Sequence, residues 1–187
     1  MAVSSNDNLN KPTSLKVLVA DDDAPTRILL RAAISQWGYE VVEAKDGEHA
    51  WEILHTGEPA RLLILDWLMP KLDGVALCER IKQEYKGKPY MYIILLTQLS
   101  GSTNIVKGLE AGADEFLSKP FNMAELRSRL SVGARIVTYE NELATQTHKL
   151  EETQKFIKNI GQQLKTLAQS PELETIQKNI ENFKITD

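Results

Sequence analysis

Five short apolar runs, each but the last followed by a stretch of helical spacing, occupy the chain up to about residue 120. This alternation restricts the fold more than any other feature. The runs are Lys16–Ala20, Tyr39–Ala44, Arg61–Leu65, Tyr90–Leu96 and Asp114–Leu117. Between them the spacing predicts helices over Thr26–Trp37, Gly47–His55, Gly74–Tyr85 and Ser102–Ala111, with Gly38 and Gly112 closing the first and the fourth. A run such as Leu62-Leu63-Ile64-Leu65 is apolar at every position, which suits a strand buried on both faces of a parallel sheet. Parallel neighbours need long right-handed crossovers, and these place helices on both faces. The expected core is therefore an α/β unit with a five-stranded, parallel, doubly wound sheet.

After Asn122 the pattern changes. Pro is absent from Met123 until Pro171, and Gly occurs only at Gly133 and Gly161. With heptad position a at Ile136, the a positions are Ile136, Leu143, Leu150, Ile157 and Leu164. The d positions are Val132, Tyr139, Gln146, Thr153, Ile160 and Leu167. A three-four apolar spacing over about five heptads predicts a coiled coil. A lone helix has nothing of its own to cover such a stripe, so pairing with a second copy is the expectation. Leu173, Ile176, Ile180 and Phe183 leave that phase and predict a separate short helix. The chain thus divides into a mobile tail over 1–14, an α/β domain over 15–132, a coiled-coil helix over 133–169 that continues the last helix of that domain, and a short amphipathic helix over 170–187.

In open parallel sheets ligands bind beyond the carboxyl ends of the strands. The first strand runs into Asp21-Asp22-Asp23, the third ends at Asp66, the fourth ends at Thr97, and the fifth precedes Lys119-Pro120. Carboxylates, a hydroxyl and an ammonium therefore converge on one edge. Clustered carboxylates repel unless a cation neutralises them. Oxygen donors without His or Cys favour a hard ion such as Mg²⁺. A hydroxyl and an ammonium beside them suit the remaining oxygens of a phosphoryl group, and Asp66 suits a phosphoryl-accepting nucleophile.

Residues 15 to about 137 resemble the receiver domain of two-component response regulators. The resemblance rests on Val17-Leu18-Val19-Ala20-Asp21-Asp22-Asp23, Leu65-Asp66-Trp67-Leu68-Met69-Pro70-Lys71-Leu72-Asp73-Gly74, Leu95-Leu96-Thr97 and Gly112-Ala113-Asp114-Glu115-Phe116-Leu117-Ser118-Lys119-Pro120-Phe121. It implies a flavodoxin-like sheet and a phosphoryl group taken by Asp66 from a sensor histidine kinase or phosphotransfer protein. By the same resemblance Asp21, Asp22, Asp66 and the backbone carbonyl of Leu68 hold Mg²⁺. Lys119 pairs with the phosphoryl group, and its bond to Pro120 is cis. Thr97 and Phe116 move together as the switch.

Some positions invite plainer roles. Asp23 reads as a cap for the first helix, Asp73 as a turn and cap residue before Gly74, and Cys78 as a buried, inert thiol. Gln98 is longer than the residue the family places after the switch hydroxyl. Leu68 and Leu99 lie where the family tunes hydrolysis, so apolar groups there predict a slowly decaying phosphoryl-aspartate.

The chain is taken to be non-enzymatic beyond accepting its own phosphoryl group. A single cysteine rules out an internal disulfide and suits a reducing compartment. No apolar run approaches a membrane span, no signal pattern opens the chain, and a net charge of −4 is ordinary for a cytoplasmic protein. From Gly133 onward 7 Lys and Arg face 8 Asp and Glu, from which no DNA binding is expected. His148 falls at an f position without an obvious acidic partner. A receiver running into a coil also looks like the receivers placed ahead of diguanylate cyclase or phosphatase domains. The alternative is a stand-alone interaction protein or phosphate sink.

Overall fold

A computed structural model describes residues 15–57, 59–85, 89–98, 102–168 and 171–183. The tail expected over 1–14 and Leu99, expected to bear on hydrolysis, lie outside the described residues. The described residues fall into two compact units, divided between Asn141 and Glu142.

In the first unit the strands are β1 (Lys16–Ala20), β2 (Glu40–Ala44), β3 (Leu62–Asp66), β4 (Tyr92–Thr97) and β5 (Glu115–Ser118). They alternate with helices α1 (Ala24–Gln36), α2 (Gly47–Leu54), α3 (Gly74–Glu84) and α4 (Ser102–Glu110). The sheet is parallel throughout, in the order β2-β1-β3-β4-β5. The first strand falls on its expected bounds, and the other four differ from theirs by one or two residues at one or both ends. Asp66 is the last residue of β3, paired with Leu96, and Thr97 is the last of β4, paired with Ser118.

Period-two alternation divides the core between the two faces. Leu18, Ala20, Leu63, Leu65, Ile93 and Leu95 join Ala50, Leu54, Leu77, Cys78 and Ile81 from α2 and α3. Val17, Val19, Leu62, Ile64, Ile94 and Leu96 turn the other way, onto Leu30 and Ile34 of α1 and onto Leu126, Leu130 and Val137. Both faces of the central strands are thus covered, which is why β3 and β4 have no need of polar residues before their last position. Cys78 is wholly buried, and burial pushes its thiol up to about 12, so it is chemically quiet.

Helix starts are specified by single acidic residues. Asp23, Asp46 and Asp73 accept hydrogen bonds from the backbone N–H groups of Thr26, His49 and Ala76 at 2.9, 2.8 and 2.7 Å. Each satisfies a donor that a helix N-terminus leaves open. Gly38, after α1, has φ 94°, a left-handed turn that suits glycine.

The last helix of the unit, α5, begins at Met123 and runs without a break to Ala168. Its first turns pack on the sheet: Leu126, Leu130 and Val137 are fully buried. Gly133 lies so close to the Tyr92 ring that a side chain at 133 would collide with it. Asn141 accepts a hydrogen bond from Arg61 at 2.8 Å.

Ile136, expected as the first a residue of the coil, instead packs partly buried against this core. Heptad spacing reports a stripe and not what covers it, so the free stripe begins one turn later, at Tyr139. From there the expected seam residues Tyr139, Leu143, Leu150, Ile157, Ile160, Leu164 and Leu167 are exposed. In the second unit α5 is followed by α6 (Pro171–Phe183), whose Leu173, Ile176 and Ile180 are also exposed. No described helix is long and apolar enough to cross a membrane.

Candidate functional site

The strand order reverses between β1 and β3: β1 leads to β2 on one side, whereas β3 leads to β4 on the other. That reversal opens a crevice at the carboxyl ends of these two strands. Asp21 follows β1, its N–H donating to Ala44 O at 3.3 Å, and Asp66 ends β3. Both are buried, whereas Asp22 is exposed. One carboxylate oxygen from each of Asp21, Asp22 and Asp66 lies within 4.8 Å of the others.

Lys119 closes the group. Its Nζ lies 2.7 Å from Asp21 Oδ2 and 3.0 Å from Asp66 Oδ1. The backbone sets its place, because Lys119 N–H donates to Thr97 O at 2.6 Å; the Lys119–Pro120 bond is cis. Burial pulls the ammonium down, but the hydrogen bonds it donates to Asp21 and Asp66 outweigh it and hold the lysine charged. Burial raises the Asp66 carboxyl above the ordinary range. The hydrogen bond it accepts from Lys119 opposes the rise, and the negative charges of Asp21 and Asp22 add to it.

Three carboxylates and one ammonium leave the site short of positive charge. The donors are all oxygen, and the exposed Asp22 leaves one side open to water, which fits a hard divalent ion such as Mg²⁺ that keeps part of its water shell. A nucleophilic oxygen at Asp66, beside an ammonium and a cation site, is equipped to receive an electrophile carrying several oxygens.

The structure brings Asp21, Asp22, Asp66, Thr97 and Lys119 to one edge of the sheet. Thr97 is buried at the end of β4. Leu68, two residues beyond Asp66, turns its side chain outward at 54% exposure, and Gln98 is exposed too. Phe116 is partly buried against the core cluster of α2 and α3. Gly74 keeps the loop after β3 folded onto the site: its N–H donates to Trp67 O at 2.9 Å, and a Cβ there would strike the carbonyl of Asp66.

Three features escaped the sequence reading. Arg27 donates to the carbonyls of Asp21 and Asp22 at 2.7 and 3.1 Å, clamping the acidic loop. Lys71, at φ 68°, sends its Nζ to within 2.6 Å of the buried Asp46. The Arg27 contact lies within the β1–α1 segment but carries no recognised spacing, and the Lys71 contact depends on how loops after two different strands meet. His148 does have an acidic neighbour, Glu152, at 3.4 Å on the next turn. The i, i+4 spacing was there to be read.

Comparison with known proteins agrees with this geometry. A family profile described as "Response regulator receiver domain" matches residues 17–131. The chain is 42% identical over 115 residues to "Probable transcriptional regulator ycf27" of Porphyridium aerugineum, covering 62% of this chain and 46% of that protein. It is 37% identical over 131 residues to "Response regulator MprA" of Mycobacterium ulcerans (strain Agy99), covering 70% and 55%. Among solved structures it is similar to the receiver domain of the Francisella response regulator 1452, with 32% identity and a TM-score of 0.59 over 64% of this chain and 96% of that one. A putative response regulator from Chloroflexus aurantiacus J-10-fl gives 33% identity and a TM-score of 0.60, over 65% and 98%.

The chain spans about half the length of the curated relatives it matches. Those names correct one expectation. The near-even charge from Gly133 onward argued against any link to DNA, yet relatives are named transcriptional regulators. A charge count over the segment from Gly133 onward describes that segment alone, so the expectation of no DNA binding does not hold. These names also do not follow the likeness to receivers placed ahead of diguanylate cyclases.

Proposed function

Because this chain belongs to the response regulator receiver family, we propose that Asp66 accepts a phosphoryl group from the phosphohistidine of a sensor kinase or phosphotransfer protein, and that the C-terminal helix conveys the change as a dimer. One observation carries the reading above the others: Lys119 reaches both Asp21 and Asp66, at 2.7 and 3.0 Å, across the switch point of the sheet.

An oxygen of Asp66 attacks the phosphorus, forming an O–P bond as the P–N bond breaks. The electron pair leaves on the imidazole nitrogen, which takes a proton from water. Asp21, Asp22, Asp66 and the backbone carbonyl of Leu68 would hold Mg²⁺, which would supply positive charge for the carboxylates and the arriving oxygens. Lys119 exchanges its bond to Asp66 for one to a phosphoryl oxygen, and burial keeps bulk water from competing for that contact. The Thr97 hydroxyl donates to a second phosphoryl oxygen, and Phe116 follows it inward. The receiver over 15–132 carries the chemistry. The helix over 133–169 carries the pairing, through Tyr139, Leu143, Leu150, Ile157, Ile160, Leu164 and Leu167. An output in gene regulation fits the names of its relatives.

The test is direct labelling. Incubated with a small phosphodonor such as acetyl phosphate and Mg²⁺, the protein should gain one base-labile phosphoryl group that hydroxylamine removes, seen as a retarded band on a phosphate-affinity gel. The Asp66→Asn variant should show no such band. Label that persists in this variant, or a wild-type chain that takes none from any phosphodonor, sinks the reading.

A further inference from the structure

Two residues of α5 have no reason within their own chain to be what they are. Gly161 lies in the interior of the helix, where glycine is a poor helix former. Gly133, on the same helix, is required by the Tyr92 ring, whereas a Cβ at Gly161 would meet nothing within 4 Å. Nor does Gly161 have a positive φ. Phe156, five residues earlier, is 63% exposed. A helix needs no aromatic there, and an exposed ring favours association.

Both positions flank the seam. With Leu143, Leu150, Ile157 and Leu164 at a, Phe156 is a g residue and Gly161 is the e residue of the next heptad. When two helices run parallel and in register, each g residue lies beside the following e residue of the other helix. An antiparallel pair sets g against g and e against e. Only the parallel, in-register pair therefore brings Phe156 of each chain over Gly161 of the other, twice by two-fold symmetry. The remaining contacts of this kind pair Glu142 with Thr147, Lys149 with Gln154 and Gln163 with Ala168, so no like charges meet. Thr153, a polar residue within the seam, donates its hydroxyl to Lys149 O at 2.8 Å, so its donor is met within its own helix.

We infer that α5 pairs in parallel and in register with a second copy of this chain, each Phe156 ring filling the notch at Gly161 of the other copy. The inference rests on the pairing reading above and gives it a direction, a register and a lock.

The test uses the full chain, with and without beryllofluoride and Mg²⁺. Cys78 is buried and stays silent. Leu150→Cys and Leu164→Cys, each alone, should form self-linked dimers under mild oxidation. If links form only when two different cysteine variants are mixed, the inference fails while the pairing reading stands. A chain that sediments as a monomer in every condition overturns both.

F156A and G161L should each weaken dimerisation on the order of tenfold, and the double variant should recover most of the loss. Leucine is the better helix former, so a plain helix-stability account predicts the opposite for G161L. Tighter association of G161L would remove the notch from the account.

Discussion

At Asp66 burial and two neighbouring carboxylates oppose the charge that the proposed chemistry needs. A carboxyl held above its ordinary range binds its proton more tightly in the folded chain than in the unfolded one. The stability it lends is present at low pH and is lost as pH rises through the raised value. At neutral pH the ionised group is therefore a burden on the metal-free fold, and Asp66→Asn should resist urea better than the wild type. Added Mg²⁺ should narrow that gap, because it favours the ionised wild-type site. A variant less stable than wild type in metal-free buffer would contradict this balance. Asp46 has the opposite sign. The hydrogen bond from Lys71, followed by that from His49 N–H, holds its carboxyl below the ordinary range. Its contribution is full above the ordinary carboxylate pKa and disappears as pH falls through the lowered value. Asp46→Asn should accordingly cost stability at pH 7 and progressively less in acid, measured as urea midpoints across that range. The capping role of Asp23 and Asp73 was legible from their places before helical runs. The partnership of Asp46 with Lys71 was not, because it depends on a left-handed residue in a different loop.

Among the elements, the strands and the first four helices were readable because burial imposes a period on each. The long helix was readable as a helix, but its first turns face their own sheet, a distinction that apolar spacing cannot make. Gly133 marks that contact: a helix meets a strand closely enough to exclude even a methyl group. Gly133→Leu should push the Tyr92 ring out of its place, as overpacked cores do, at a cost of about 1–3 kcal/mol by chemical denaturation. Alanine at the same position should cost less. A leucine variant as stable as the wild type would mean that α5 can slide on β4. The site at the strand ends was legible for a different reason. A parallel sheet delivers the ends of β1, β3 and β4 to one edge, so residues distant in sequence become neighbours once the order of the strands is known. Arg27 and its hold on two carbonyls had no such periodic signature.

For the molecule as a whole, the sequence led to the family and the fold and went astray on the output, where a charge count over one segment stood in for the function of longer relatives. One feature of α5 bears on how such a protein behaves in a cell. Past Val137 the described side chains of this helix are exposed, so in a single chain that stretch is held by little beyond its own hydrogen-bond ladder. If the helix pairs as proposed, the far helix depends on encounters with a second copy, whereas the sheet does not. Hydrogen exchange should then report abundance. Amides of β3 and β4 should exchange at rates indifferent to protein concentration, and those from Leu143 to Leu167 should slow as concentration rises. Equal behaviour in both regions would mean that the helix is solid by itself. Otherwise the number of copies present becomes an input of its own, beside the phosphoryl group proposed above.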